Sequence, residues 1–224
     1  MQALEASSGD FGAVELTGYL AGAFAKISKK LVNNMDLDVV DFVVEQMAEA
    51  FKSFYERECL EGTAGKADGL LKGITATVIG TYKSVIAADD LIALQMKVPT
   101  AYQQNACWLM RPTTFENIRK LKDNEKRYLL APDFREGYGY TLLGKPIYLS
   151  DEMPALGTAG NKAIVYGDLS ALGLKITKDL EMQLADPVAP NVYAIGVTGW
   201  TEFDCKVVNA QKVAVLTCGT SDPI

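Results

Sequence analysis

From Asp38 onward, apolar residues recur at three- and four-residue spacing, at Val40, Val43, Val44, Met47, Phe51, Phe54 and Tyr55. That spacing lays them along one side of an α-helix. Asp36 or Asp38 supplies an N-cap, and the glycines of "EGTAGKADG" end the helix. A helix from about Asp38 to Leu60 is on the order of 30 Å long, the span of a small domain. The preceding stretch, Val14 to Val32, alternates around Phe24, Lys26, Ile27 and Ser28 and predicts an extended segment. The first ten residues are small and polar and predict a flexible lead-in.

Further along, "DDLIALQMKV" predicts a shorter helix, capped by Asp89 or Asp90 and limited by Pro99. Cys107 to Met110 is a short apolar run consistent with a buried strand, and Pro112 suits the first turn of the helix after it. In that helix Phe115, Ile118 and Leu121 share one face, and Glu116, Arg119, Lys120 and Lys122 point to water. "YTLLGKPIYLSDEMP" predicts two short strands around a Gly-Lys-Pro turn. "KAIVYGDLSALGLKI" predicts a strand, a turn at Gly167-Asp168 and a second extended piece. Alternation resumes between Glu181 and Cys218 in "VYAIGVTGWTEF" and "KVAVLTC", which predict strands. One long helix early, short helices in the middle and strands late indicate an α+β fold without the strict alternation of a doubly wound sheet.

Composition narrows the chemistry. A net charge of -6 argues against a protein whose main task is gripping phosphate backbones, and the basic residues are interleaved with acids as on a solvated face. The apolar runs fall short of the roughly 18 to 20 residues that span a bilayer, and "MQALEASSGD" has neither a basic nor an apolar signal region. A soluble, unexported chain is expected. Cys59, Cys107, Cys205 and Cys218 lie far apart without a C-x-x-C pair and are expected to be buried reduced thiols. The chain has no histidine, which removes Ser-His-Asp and Cys-His catalysis, most catalytic zinc sites and the commonest general base near neutral pH.

Three stretches look chemical. Gly65-Lys66 imitates a phosphate-binding loop, but Leu60 stands where the leading glycine belongs, Ala67 replaces Ser or Thr, and the loop follows a helix. Pro132-Asp133 with the distant Asp204-Cys205-Lys206 echoes a metal-dependent nuclease, in which carboxylates hold a divalent ion and a lysine supports the attacking water. "WLMRPTTFENIRKLKDNEKRYLL" is dense in charge, but its charges fall on the solvated face of the helix predicted there. No catalytic, cofactor-binding or metal-binding residue is assigned, and no cofactor is expected.

The order of the pieces carries a resemblance. Asp89-Asp90-Leu91-Ile92, Trp108 to Arg111 entering Pro112-Thr113-Thr114, and Leu121-Lys122-Asp123 before Tyr128-Leu129 are followed by Leu142-Leu143-Gly144-Lys145-Pro146, Ser150 to Pro154 and Tyr166-Gly167-Asp168. Together with the helix that ends in "EGTAGKADGLLKG", this order resembles the tailed-bacteriophage major capsid proteins of the Hong Kong 97 type over nearly all of the chain. The resemblance implies a spine helix at about 38–60, a peripheral domain from residues 1–74 and 173–224, and an axial domain from 75–172. It implies a non-enzymatic shell protein that self-assembles into pentamers and hexamers of an icosahedral head around double-stranded DNA, put together in the host bacterial cytoplasm. The implied partners are copies of itself, with scaffold, portal and maturation protease, and neither a membrane nor tight sequence-specific nucleic acid binding.

Encapsulin compartments share the resemblance and are the alternative, with the metal-dependent nuclease behind them. Relatives carry an N-terminal arm and a long hairpin before the segment that opens this chain, so a truncated chain that forms small oligomers instead of closed shells is expected. Some relatives join subunits through a Lys-Asn isopeptide bond assisted by a glutamate. The stretch from Val192 to Thr198 has no asparagine, so Glu202 is not given that role.

Overall fold

The computed structural model describes residues 14–34, 38–122, 125, 127, 140–186, 188 and 193–221. The predicted flexible lead-in and Pro132-Asp133 lie outside the described residues. Strand β1 (Tyr19–Ser28) runs into a short helix α1 (Lys29–Asn34), where the sequence predicted continued extension. Helix α2 (Val39–Leu60) is the predicted spine. Asp38 is its cap, accepting from the backbone N–H groups of Val40 at 3.0 Å and Asp41 at 3.2 Å. Past its end, Gly62 takes a positive φ of 67° and donates to the Arg57 carbonyl, closing the last turn.

Next come α3 (Leu70–Gly73), β2 (Ala76–Ile79) and α4 (Ala88–Lys97). Neither Asp89 nor Asp90 is the cap of α4. That position is Ala87, and Asp90, inside the first turn, accepts from its N–H at 3.2 Å. The Asp90 carboxylate is buried and also takes the N–H and hydroxyl of Thr81, so one side chain joins the loop after β2 to the helix start. Strand β3 (Cys107–Met110) is buried at every position, and α5 (Pro112–Arg119) follows with Pro112 in its first turn. Phe115 and Ile118 face inward, while Glu116, Arg119 and Lys120 are exposed.

Strands β4 (Thr141–Leu142) and β5 (Lys145–Leu149) form the predicted hairpin, but its turn is Leu143-Gly144. Both residues have positive φ, 49° and 76°, which leaves Lys145 and Pro146 free to begin the strand. After β6 (Lys162–Gly167), Asp168 caps a short 3-10 turn and the chain enters two long strands, β7 (Leu172–Ala185) and β8 (Ala194–Val207). Strand β9 (Val213–Thr217) ends the described fold.

Two sheets result. One has three antiparallel strands in the order β1-β8-β7, and the other has six in the order β2-β9-β6-β3-β5-β4. The tail is shared between them, β8 lying in the first and β9 in the second. Helix α2 lies on one face of the three-stranded sheet. Met47 and Phe51 pack there against Ile27 and Val197, and Phe51 sits so close to Gly199 that a Cβ at that position would lie 2.6 Å from the ring. Tyr55 adds a hydroxyl contact to Thr201 and stacks edge-on against Phe203 at 4.8 Å. The six-stranded sheet holds the larger core, in which Trp108, Met110, Ile164 and Tyr166 are fully buried alongside Leu94 and Ile118.

Candidate assembly surfaces

The described parts of the stretches that looked chemical make structural contacts. In the Gly65-Lys66 loop, Gly62 and Gly69 pack back to back: a Cβ on Gly62 would lie 2.3 Å from the Gly69 nitrogen. Gly62 and Gly69 therefore close the helix-ending loop on itself, with Lys66 N–H donating to the Thr63 carbonyl at 3.1 Å. Arg111 donates to the Met153 carbonyl at 3.2 Å and ties the start of α5 to the turn after β5. Lys120 pairs with Glu116 one turn away, and this contact holds the Glu116 carboxyl below the usual carboxylate range. Both side chains of that pair are solvated.

Asp204 is fully buried, and its carboxylate accepts from the Thr17 N–H at 2.9 Å. It clasps the segment leading into β1. Among the described residues no group of three or more acidic, cysteine or histidine side chains could hold a metal ion, and Asp133, its supposed partner, lies outside them. Glu202 lies on the outer face of β8 between Leu20 of β1 and Lys178 of β7. Burial pushes the Cys107 and Cys218 thiols upward, away from reactivity. Cys59 differs from the expectation of four buried thiols, being only half-buried at the end of α2.

The unexplained features are apolar and exposed. On the face of the three-stranded sheet opposite α2, Leu20 is 61% exposed, Phe24 58% and Trp200 38%. Glycines on the neighbouring strand, Gly22 opposite Trp200 and Gly196 diagonal to Phe24, leave room for the rings to lie across the strands. A Cβ on Gly22 would lie 2.5 Å from the Trp200 ring, and one on Gly196 would lie 2.9 Å from the Phe24 ring. The outer edge strand β7 adds exposed Leu174, Ile176 and Leu184 on the helix side. Polar neighbours frame the patch, with Lys178 and Glu181 paired at 2.6 Å and the Glu181 carboxyl held low by that contact.

The six-stranded sheet has its own exposed apolar positions, Ile79 on its edge strand and Ile92 and Met96 one turn apart on α4. A cleft of about 290 Å³ lies beneath α4, lined by Leu91, Ile92, Ile118 and Leu142 and almost devoid of polar groups. Such patches mark surfaces that meet other protein. Sequence reasoning did not single out Leu20, Phe24 and Trp200. Their signal is the two-residue alternation Leu20-Gly22-Phe24 and Gly196-Thr198-Trp200, which lines up only once β1 and β8 are in register.

Comparisons with known proteins agree with this description. The capsid of a native GTA particle matches with a TM-score of 0.81 and 19% identity, over 92% of this chain and 74% of that one. A structure from Mycobacterium phage Adephagia matches with a TM-score of 0.69 and 14% identity, over 93% and 74%. The SrpI encapsulin of Synechococcus elongatus PCC 7942 matches with a TM-score of 0.68 and 15% identity, over 93% and 76%. No curated protein matches the chain. The family model described as the phage capsid family matches residues 1–218, and the chain belongs to that family as a structural shell protein with the α+β fold of the Hong Kong 97 type.

Proposed function

We propose that this chain builds the head of a tailed phage or prophage by self-association into pentamers and hexamers that close around double-stranded DNA. The observation that carries the reading is the unpartnered face of the three-stranded sheet, where Leu20, Phe24 and Trp200 stand in water on strands anchored from behind by α2. An isolated chain gains by covering that face, and a lattice of identical subunits supplies the cover many times over. The proposed division is a peripheral domain from 1–74 and 173–224 and an axial domain from 75–172, with β9 as the strand through which the tail joins the six-stranded sheet. The chain acts without catalysis. It is assembled in the host cytoplasm and resides in the virion shell, and scaffold, portal and maturation protease are its further partners.

A net charge of -6 suits a lining along which packed DNA slides without tight contacts. The encapsulin compartment is the second reading, supported by the SrpI match, but the family match and the higher similarity to the GTA capsid favour the phage head. Sedimentation velocity over a concentration series tests the proposal. The wild-type chain should form capsomer-sized oligomers, and the double variant Phe24→Ser with Trp200→Ser should lose them while keeping its circular dichroism spectrum. A wild-type chain that stays monomeric throughout, or a double variant that assembles like wild type, contradicts it.

A further inference from the structure

Cys59 and Cys205 belong to different parts of the fold and meet at one point. Cys59 lies in the last turn of α2, half-buried, and Cys205 lies fully buried on the helix-facing side of β8, beside Phe203. The Cys205 thiol has the Glu58 carbonyl 3.4 Å away, so its sulfur reaches the backbone of the helical turn that carries Cys59. From the other side, the Cys205 carbonyl accepts from the Asp68 N–H at 3.1 Å, and a Cβ on Gly69 would lie 2.8 Å from the Glu58 carbonyl. Helix end, loop and strand are thus pressed together where the Cys205 sulfur meets the helical turn that carries Cys59.

The pair is asymmetric. Contact with the Cys205 thiol holds the Cys59 thiol below the ordinary thiol range, outweighing burial and the nearby Glu58 charge. The same contact, followed by burial, pushes Cys205 upward. The sulfur that ionises more readily is therefore also the one that solvent reaches, and the buried sulfur keeps its proton until it is needed. Cys107 and Cys218 lack this arrangement, since both are buried and pushed upward.

We propose that Cys59 and Cys205 form a redox-responsive disulfide that clamps the end of the spine helix to the three-stranded sheet. The chemistry balances with a low-molecular-weight disulfide as oxidant. The Cys59 thiolate attacks one sulfur of that molecule, forming a mixed disulfide and releasing the other half as a thiolate. That thiolate takes the Cys205 proton, and the Cys205 sulfur then attacks the Cys59 sulfur, forming the Cys59–Cys205 bond and expelling the second half. Two protein thiols lose two electrons, and the oxidant becomes two thiols. The sulfurs have to close to about 2.05 Å, a movement available to a side chain in a terminal helical turn. The consequence is a chain that folds with a free helix end in reducing surroundings and tightens on passing to oxidising ones. The bond spans most of the sequence and so strongly restricts the unfolded chain.

The test uses the full chain equilibrated with oxidised and reduced glutathione at graded ratios. Thiol titration in denaturant should fall from four to two, the non-reduced peptide map should show Cys59 joined to Cys205, and the melting temperature should rise by several degrees. Cys59→Ser, changed only at the half-exposed position, should keep its fold and show neither the bridge nor the rise. A wild-type chain that retains four thiols overturns the proposal. So does a glutathione adduct left unresolved on Cys59, a bridge through Cys107 or Cys218, or a Cys59–Cys205 bridge that leaves the melting temperature unchanged.

Discussion

The two sheets solve the burial problem differently. In the six-stranded sheet, β3 and β6 run through the interior with almost every residue shielded, and helices and loops close the core on both sides. In the three-stranded sheet one face is covered: Met47 and Phe51 of α2 are buried against Ile27, Val197, Thr201 and Phe203, with Val40, Val44, Phe54 and Tyr55 of the helix partly covered. Its other face carries Leu20, Phe24 and Trp200 in solvent. A small sheet with one covered face is marginal alone. The first region buries a large core within the chain, and the second leaves a whole sheet face of apolar residues exposed. For a protein that works by assembly, stability and recognition are thereby assigned to separate surfaces: a lattice contact can form on the sparse sheet without disturbing the dense core.

The sharpest way to break this comparison is at Trp108. Its side chain is fully buried, its ring packs on Tyr166 at a centroid distance of 4.4 Å, and its indole N–H donates to the Leu142 carbonyl at 2.9 Å. Tyr166 in turn reaches Gln103, whose amide donates to the carbonyls of Gln95 and Val98 and ties the end of α4 to the sheet. Trp108→Ala removes the ring and leaves the Leu142 carbonyl without its donor. It should cost about 5 kcal/mol, the upper end for an aromatic deletion. Denaturant unfolding measures this, and a loss below about 2 kcal/mol would mean that the dense core tolerates voids and is no firmer than its neighbour.

A smaller effect is expected at Phe51, the centre of the spine contact. Phe51→Ala should cost roughly 3 kcal/mol, the lower end for a buried phenylalanine, because the unbranched side chain of Met47 in the same cluster can close partly over the gap. Hydrogen exchange sharpens the comparison: amides of β1 and β8 should lose protection while those of β3 and β6 keep theirs. Equal loss in both sheets would show that they unfold as one unit.

The difference between the regions also explains what was legible in the sequence. Helix α2 could be read almost to the residue because its period, the Asp38 cap and the closing glycine all agree locally. Strand β3 was legible as an apolar run that Pro112 ends. Strand β2 was not, since four residues paired in parallel with the distant β9 carry no local pattern. Asp90 read as a cap because acids favour helix starts, whereas its role depends on Thr81, brought in by the tertiary fold. The hairpin turn was misplaced at Gly-Lys-Pro because glycine and proline are strong turn formers, and the positive φ of Leu143 contradicts ordinary preference. Among the side chains of interest, the exposed trio was hidden because an apolar residue in a strand reads as core until its partner strands are known.

The smallest expected effect lies at the joint between the two regions. Asp168 ends β6 of the six-stranded sheet and caps the turn that feeds β7 of the other, accepting from the Ser170 N–H at 2.9 Å. Its own N–H donates to the Lys212 carbonyl at 3.1 Å, so the turn is also tied to the approach to β9. The hydrogen bond from the Ser170 backbone is the main cause that lowers the Asp168 carboxyl from its ordinary value, with Lys212 assisting. A folded-state value below the unfolded one means that the contribution is fully present above about pH 4 and is lost as pH falls through the lower, folded value. Asp168→Ala should therefore cost about 0.5 to 1 kcal/mol at neutral pH, as for other exposed caps, and the difference from wild type should vanish in acid. Because the joint serves both sheets, the loss should appear equally in β6 and β7 amides. A difference between the two variants that persists or grows below pH 3 would assign the residue's value to packing instead of to the charged cap.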